Sequence, residues 1–216
     1  MPSTDPPAQS RPAASPENKM TLYARAAASL YGVISLDDFF KVLEVYYGKG
    51  ALSRKKVSSF FRQAKGADPI YYVQDGRIVH SSISPDQAVW AFEEIQHSAD
   101  PRTHGQRRIL PEKEFLMYAD PSFYEETRGT KEMEAYLADE VGLSREDVRE
   151  IVTEMVFICR SGACPTYVMD ALKRRGISYG RDCELYLITY GCAIEGEARL
   201  WERLGFTGGE LQAQTS

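Results

Sequence analysis

The residues best suited to chemistry are five cations in one short segment, residues 54–65, with the sequence RKKVSSFFRQAK. These cations are Arg54, Lys55, Lys56, Arg62 and Lys65, and no acidic residue interrupts them. The whole chain has a net charge of −5, so the segment differs sharply from its surroundings. Lysine and arginine gain affinity for nucleic acid by releasing counterions from the phosphate backbone. The segment therefore predicts non-covalent binding of an anionic partner.

The same segment has the spacing of an amphipathic helix, with Ser53 as its N-cap and Gly66 at its end. At about 100° per residue, four apolar side chains fall on one side: Val57, Phe60, Phe61 and Ala64. The polar side has Lys55, Ser59 and Arg62 at its centre, and Ser58, Gln63 and Lys56 at its edges. One side is thus predicted to pack on a core while the other meets the partner.

The polar side chains of this predicted helix suit DNA. Ser58 and Ser59 are small, so they allow close approach, and their hydroxyls bond to phosphates or base edges. By residue type, the Gln63 amide suits adenine and the Arg62 guanidinium suits guanine. Base recognition by this helix is therefore an expectation alongside phosphate binding.

The elements around the cationic segment follow the order of a winged helix-turn-helix. A helical pattern over residues 21–31 ends at Gly32, and a short β-branched link follows it. Ser35 and Asp38 then have the spacing of a capping box and begin a second amphipathic helix. After the cationic helix, Asp75-Gly76 between two β-prone runs predicts a type I′ hairpin. The predicted order is helix, strand, helix, helix, hairpin.

Arg77 follows the predicted hairpin turn, on the wing, where it would reach a groove or a phosphate. The residues predicted to bind nucleic acid or another partner are Arg54, Lys55, Lys56, Ser58, Ser59, Arg62, Gln63, Lys65 and Arg77. A second basic cluster, with Arg102, His104, Arg107 and Arg108, lies in the loop that follows the next helix, which Ser84 and Pro85 are predicted to begin.

From residue 111 onwards the apolar spacing is helical almost throughout, including short helices near residues 112–119 and 121–126 and a last one around Trp201. Charge divides the chain, with net +3 over residues 20–110 and net −8 over residues 111–216. We predict a mainly α fold with a winged-helix-like unit of three helices plus a β-hairpin, followed by an all-α region. The predicted domains are a proline-rich disordered tail (1–19), a winged-helix-like domain (20–97), a basic linker (98–110) and an acidic helical domain (111–216).

Motifs that indicate catalysis or a bound cofactor are absent from the sequence, including the P-loop, GxGxxG, HExxH and GxSxG patterns. The four cysteines, Cys159, Cys164, Cys183 and Cys192, form no CxxC pair, so we expect buried or capping thiols rather than a redox or metal site. No apolar run has the length of a membrane span, and no signal-peptide pattern precedes Met20, itself a candidate start. The expectation is a cytoplasmic protein without catalytic residues, metal, cofactor or membrane partner.

Three segments resemble a group of bacterial proteins, found mainly in Gram-positive lineages, in which a helical domain precedes a zinc-binding SEC-C tail. They are LYGVISLDDFF (30–40), ICRSGACPTYVMDALKRRGI (158–177) and ARLWERLGFTGGEL (198–211). Members of that group tend to have proline and asparagine where this chain has Gly208-Gly209, and the SEC-C cysteines are not found here. The resemblance implies a bacterial intracellular protein, with no zinc-dependent role carried over and no catalytic site.

Two functional hypotheses follow from these patterns. The first is a non-enzymatic regulator that binds DNA through its basic winged-helix unit, with the acidic helical region as a homodimerisation or effector module. The second is a protein-interaction adaptor, or an inhibitor, that uses the same basic face on an acidic protein partner.

Overall fold

The structure, a computed structural model, describes residues 16–63, 68–162 and 166–214. Among them the helices are α1 (Pro16–Tyr31), α2 (Leu36–Tyr47), α3 (Arg54–Gln63), α4 (Ala88–His97), α5 (Glu112–Met117), α6 (Arg128–Asp139), α7 (Arg145–Arg160), α8 (Tyr167–Arg174), α9 (Arg181–Glu197) and α10 (Gly208–Ala213). The strands are β1 (Val33–Ser35), β2 (Tyr71–Gln74) and β3 (Arg77–His80). The chain is mainly α with a small antiparallel sheet beside the N-terminal helices, which confirms the predicted fold class.

The first six elements run α1, β1, α2, α3, β2, β3, as the sequence predicts. The sheet is antiparallel in the order β1-β3-β2, so that β3 pairs with both of the other strands. Asp75 and Gly76 have φ values of 48° and 70°, which a type I′ turn requires at its two central positions. The Ser35 hydroxyl accepts a hydrogen bond from the Asp38 amide at 3.0 Å, so the predicted cap of α2 is confirmed.

Helix α1 lies at the centre of the first core. Tyr23, Ala24, Ala27 and Tyr31 are all fully buried. A helix that is covered on all sides needs small or apolar residues around its whole circumference, which explains the alanine-rich sequence of α1. The helix begins at Pro16, earlier than the predicted start, so the four residues before Met20 belong to it, while residues 1–15 lie outside the described residues.

The sheet is covered on both faces. Ile78 points into the core around α1, whereas Val79 on the same strand packs with Ala91 and Ile95 of α4. The predicted start of α4 at Ser84 is wrong, because the Gln87 amide bonds to the Ser84 carbonyl at 2.9 Å in a turn. The helix itself begins at Ala88, so that its short apolar face lies against β1 and β3.

The acidic region has its own core, formed mainly by α6, α7 and α9. Met133, Leu137, Ile151, Val152 and Leu187 are fully buried there. Ser144 caps α7 by accepting a hydrogen bond from the Asp147 amide at 3.2 Å. The predicted short helix over residues 121–126 is wrong, since this stretch has no regular secondary structure. The predicted domain boundaries stay a prediction. Leu110 and Phe115, on either side of the predicted boundary at residue 111, both pack with the first core.

Trp201 joins the acidic region to the winged-helix unit. Its indole Nε1 donates to the Ser29 carbonyl of α1 at 3.1 Å, and its amide donates to the Arg160 carbonyl of α7 at 2.9 Å. The indole also lies against Gly32, where a Cβ atom would come within 2.4 Å of it. The helix predicted around Trp201 is wrong, because residues 201–205 form turns with Leu204 at φ 50°. The three segments that carry the family resemblance therefore meet at this contact.

Arg199, whose side chain is mostly buried, joins α10 to the segment that precedes α6. The Arg199 guanidinium is 10% exposed and forms ion pairs with Glu125 at 2.9 Å and Glu210 at 2.6 Å. Glu210 also accepts the Thr207 amide at 3.0 Å and pairs with Arg108 at 3.1 Å. These pairs lower the pKa of Glu210, although burial acts in the opposite direction and is the largest single effect.

Arg199→Met is expected to lower the free energy of unfolding by about 3 kcal/mol. The substitution removes the ion pair of the partly buried Glu125 carboxylate and leaves Glu210 with Arg108 alone. Urea denaturation at neutral pH measures this change. Arg128→Met is the matched control, because Arg128 also pairs with a glutamate, Glu132, but is 82% exposed. The control is expected to cost less than about 1 kcal/mol. Equal losses in the two variants would contradict a stabilising role for the Arg199 pairs.

Candidate functional site

The exposed side of α3 is the candidate site. The helix is rotated so that its apolar side faces the core and its polar side faces solvent, as the spacing of its residues predicts. Val57 and Phe61 are buried, and Phe60 is partly buried against the same core. The Phe61 ring packs edge-on against Phe39 of α2 at 5.7 Å and against Tyr71 of β2 at 6.3 Å. These contacts fix the rotation of α3 about its own axis. Ala64 lies outside the described residues.

Three predicted cations of the site are exposed and have no ion pair among the described residues: Lys55, Lys56 and Arg62. We refer to these three residues as the cationic face. Ser58 and Ser59 beside them are partly buried, so only part of each side chain is accessible to a ligand. Since no carboxylate of the described chain neutralises the cationic face, its charges are available to neutralise an external anion.

Two other predicted site residues already make contacts within the winged-helix unit, so they are only partly available to a partner. Arg54 pairs with Asp37 of α2, and its guanidinium lies 5.0 Å above the Phe40 ring. Gln63 donates from Nε2 to the Ser59 hydroxyl at 2.9 Å, which holds its amide along the helix. Lys65 lies outside the described residues. Fewer residues are therefore available to a partner than the nine that the sequence predicts.

Arg77 is held on the side of the sheet that α4 covers. Its guanidinium lies 4.7 Å above the Phe92 ring and donates to the Asp75 carbonyl at 3.5 Å. The Leu36 amide donates to the Gly76 carbonyl at 2.8 Å, so the hairpin turn is tied to the start of α2. The wing is consequently short and fixed, and Arg77 is partly buried rather than extended from its tip.

The second basic cluster uses its charges within the chain. The Arg107 side chain is 6% exposed, donates to the Val33 carbonyl at 3.1 Å and lies 5.1 Å above the Tyr31 ring. Burial lowers the pKa of Arg107, while Tyr31 and Asp38 oppose the shift. Arg102 pairs with Asp100, and Arg108 with Glu210. His104 is exposed in the same loop. These arginines are therefore structural rather than part of the cationic face.

A cleft of about 720 Å³ lies between the winged-helix unit and α7, and sequence reasoning missed it. Its lining includes Ile70, His80, Phe123, Phe157 and Arg160. The only signal in the sequence is an arginine, Arg160, one turn after Val156 on the apolar side of α7. Helical spacing alone does not distinguish this position from an ordinary C-terminal cation.

His80 lines the cleft and lies beside two aromatic rings. Its ring is 5.1 Å from Phe157 and 5.6 Å from Trp201, and Nδ1 is 2.8 Å from the Ser82 hydroxyl. Burial, and secondly the charge of Arg160, lower the pKa of His80 to about 4. The imidazole is therefore neutral near neutral pH.

Within the described ranges, no cluster of three or more histidine, cysteine, aspartate or glutamate side chains has the arrangement of a metal site. Cys159 is buried, Cys183 is partly buried and Cys192 is exposed, and none of these three forms a disulfide in the described part of the chain; Cys164 lies outside it. None of the described helices combines the length and the apolar character required to span a bilayer.

Comparisons with family models, with curated proteins and with solved structures gave no match to this chain.

Proposed function

We propose that this protein is a non-enzymatic regulator that binds duplex DNA through the cationic face of α3. The observation that carries the proposal is a set of three exposed cations, Lys55, Lys56 and Arg62, without a carboxylate partner among the described residues, on the third helix of a winged-helix-like unit. In helix-turn-helix proteins the helix at this position enters the major groove. Phosphate binding by these cations supplies affinity, while Ser59 and Gln63 provide groups for base contacts.

The charge distribution supports this proposal. Residues 111–216 have a net charge of −8, so the chain as a whole has no general attraction to DNA. Binding must therefore depend on a local positive surface, and the other basic cluster is occupied by internal contacts of Arg102, Arg107 and Arg108. The acidic region is the proposed homodimerisation or effector module, and its repulsion from DNA orients the chain with α3 towards the duplex.

The proposal predicts a steep dependence of DNA affinity on salt. Three phosphate contacts give a slope of about −2.7 in log affinity against log salt, so a fourfold rise in salt weakens binding about 40-fold. Fluorescence anisotropy with a labelled mixed-sequence duplex measures this slope. Lys55→Glu combined with Arg62→Glu is expected to abolish binding at about 50 mM salt, because it replaces two attractions with two repulsions.

Lys113→Glu combined with Lys173→Glu is the matched control, since both lysines are exposed and change the net charge by the same amount. This control is expected to keep most of the affinity. Absence of binding by the unmodified chain at about 50 mM salt would refute the proposal. Equal loss in the two double variants would show that net charge, and not the cationic face, controls binding.

An acidic protein partner is the second candidate, and one contact favours it. Arg54, at the start of α3, already pairs with the carboxylate of Asp37 and stacks on Phe40. An acidic peptide offers the same carboxylate chemistry to Lys55, Lys56 and Arg62. Labelled poly-glutamate is a suitable probe: binding that depends on Lys55 and Arg62, with no binding of duplex DNA, would favour an adaptor or inhibitor.

A further inference from the structure

The cleft between the winged-helix unit and α7 has the size and position of a small-molecule site. Its volume is about 720 Å³, which lies within the usual range for ligand pockets, and such pockets occur preferentially where two structural units meet. One wall comes from residues around β2 and β3, including Ile70 and His80, and the other comes from α7, including Thr153 and Phe157. A ligand in the cleft would therefore contact both units at once.

Arg160 gives the cleft a buried positive charge that no carboxylate of the described residues neutralises by an ion pair. The side chain lines the cleft although the residue is only 6% exposed. Its Nη1 donates weakly to the Ser29 carbonyl at 3.5 Å, its guanidinium lies 4.9 Å above the Tyr118 ring, and its Nε has no hydrogen-bond acceptor among the described residues. A buried cation in this state is costly, and an anionic ligand offsets that cost.

The acidic groups near Arg160 are either paired with other cations or exposed. Glu125 pairs with Arg199 at 2.9 Å, and Glu154 pairs with Arg175 at 2.7 Å. Asp120, Glu146 and Glu150 also line the cleft but are exposed. Two further cations, Arg149 and Arg175, line it as well, so the exposed carboxylates do not make the lining one-sidedly negative. A small molecule with a single anionic group is therefore not repelled from the buried cation.

The remaining lining selects for an apolar body. Phe157 and Phe123 contribute aromatic surface, and Ile70 and Val156 contribute aliphatic surface. His80 is neutral near neutral pH, so it adds a hydrogen-bonding group without adding charge. A pocket with mostly apolar walls and a few polar groups that fix orientation is typical of ligand sites.

We propose that this cleft binds a small organic oxyanion, a carboxylate or a phosphate ester with an aromatic or aliphatic body, whose oxyanion is held by Arg160. The planar guanidinium matches both oxyanions, so the chemistry of recognition is shared between them. The site is independent of the cationic face of α3, and DNA binding and ligand binding can each fail without the other.

The fluorescence of Trp201 can report ligand binding in the cleft. Its ring lies 5.6 Å from His80 and 6.0 Å from Phe157, two residues that line the cleft. The chain has two tryptophans, and Trp90 is 64% exposed, so Trp90→Phe leaves Trp201 as the only tryptophan. Titration of this full-length variant with benzoate or phenyl phosphate is expected to change the Trp201 emission saturably, with a dissociation constant on the order of 1 mM or tighter. The anion with the lower dissociation constant is the preferred oxyanion. Neutral benzyl alcohol is expected to bind at least about tenfold more weakly than that anion.

Thr153→Phe in the same background fills the cleft and is expected to weaken binding at least about tenfold. Thr189→Phe is the matched control, because Thr189 is exposed on α9 and bonds to the carbonyl four residues earlier, as Thr153 does, both at 2.7 Å. Arg160→Met is expected to remove binding, and Thr153→Phe keeps the test valid if Arg160→Met fails to fold. No saturable response to either anion up to on the order of 50 mM, or equal affinity in Thr153→Phe and Thr189→Phe, would overturn the proposal.

Discussion

Gly32→Ala is expected to lower the free energy of unfolding by about 3 to 5 kcal/mol. Gly32 has φ 70°, a conformation that costs an L-residue about 1 to 2 kcal/mol. An added Cβ would also lie 2.4 Å from Cδ2 of Trp201 and would force the indole away. The displaced indole would lose its hydrogen bond to the Ser29 carbonyl, which joins the two parts of the chain.

Gly76→Ala separates the two contributions, because Gly76 also has φ 70° but its Cβ would have no neighbour within 4 Å among the described residues, apart from Gly76 itself and the residues on either side of it. It is expected to cost only the backbone strain of about 1 to 2 kcal/mol. In a Trp201→Leu background, the cost of Gly32→Ala is expected to fall to that of Gly76→Ala, because the clash is removed. Urea denaturation of the four variants gives these differences. If Gly32→Ala and Gly76→Ala cost the same in the native background, the close contact with Trp201 is not significant.

The free energy of unfolding is expected to fall by about 2 kcal/mol between about pH 8 and about pH 5 because of His80 alone. The pKa of His80 is about 4 in the folded chain, below the ordinary value of 6.5. The folded state therefore binds fewer protons than the unfolded state between these values. The stabilising contribution is complete above the unfolded pKa and is lost as the pH falls towards the folded pKa.

His80→Gln is expected to remove this part of the pH dependence, because glutamine keeps a hydrogen-bonding group but does not titrate. His104→Gln is the control, since His104 is an exposed loop residue. The pKa values of Asp38, Glu112 and Glu210 are lowered in the folded chain. Their contributions to the free energy of unfolding are therefore lost only as the pH falls below the ordinary pKa values of carboxyl groups, which lie under the range used for His80. A pH profile of His80→Gln that is parallel to the native profile between about pH 8 and about pH 5 would contradict the assignment.

Features that depend on neighbouring residues could be predicted from the sequence. The cap at Ser35 and the Asp75-Gly76 turn require only residues within four positions of one another. The rotation of α3 followed from the spacing of Val57 and Phe61, because a helix buries whichever side is apolar.

Features that depend on distant residues could not be predicted in this way. The stretch around Trp201 has helical spacing, yet it forms turns because the indole and the Trp201 amide bond to Ser29 and Arg160 of other helices. The predicted start of α4 at Ser84 is wrong for a related reason. The position at which the helix begins is set by its packing on β1 and β3 and not by the cap signal at Ser84. Tertiary contacts of this kind outweigh local propensities of a few tenths of a kcal/mol to about 1 kcal/mol.

The winged order of the N-terminal elements and the cationic side of α3 are encoded in short-range spacing, and both can therefore be predicted from the amino acids alone. Which positive charges are available to a partner depends instead on tertiary contacts. Arg107 bonds to Val33, 74 positions away, and Arg160 lies between two structural units, whereas Lys55, Lys56 and Arg62 stay exposed. The physical reason is that burial and ion pairing depend on residues brought together by folding, and a count of charges along the chain does not contain that information.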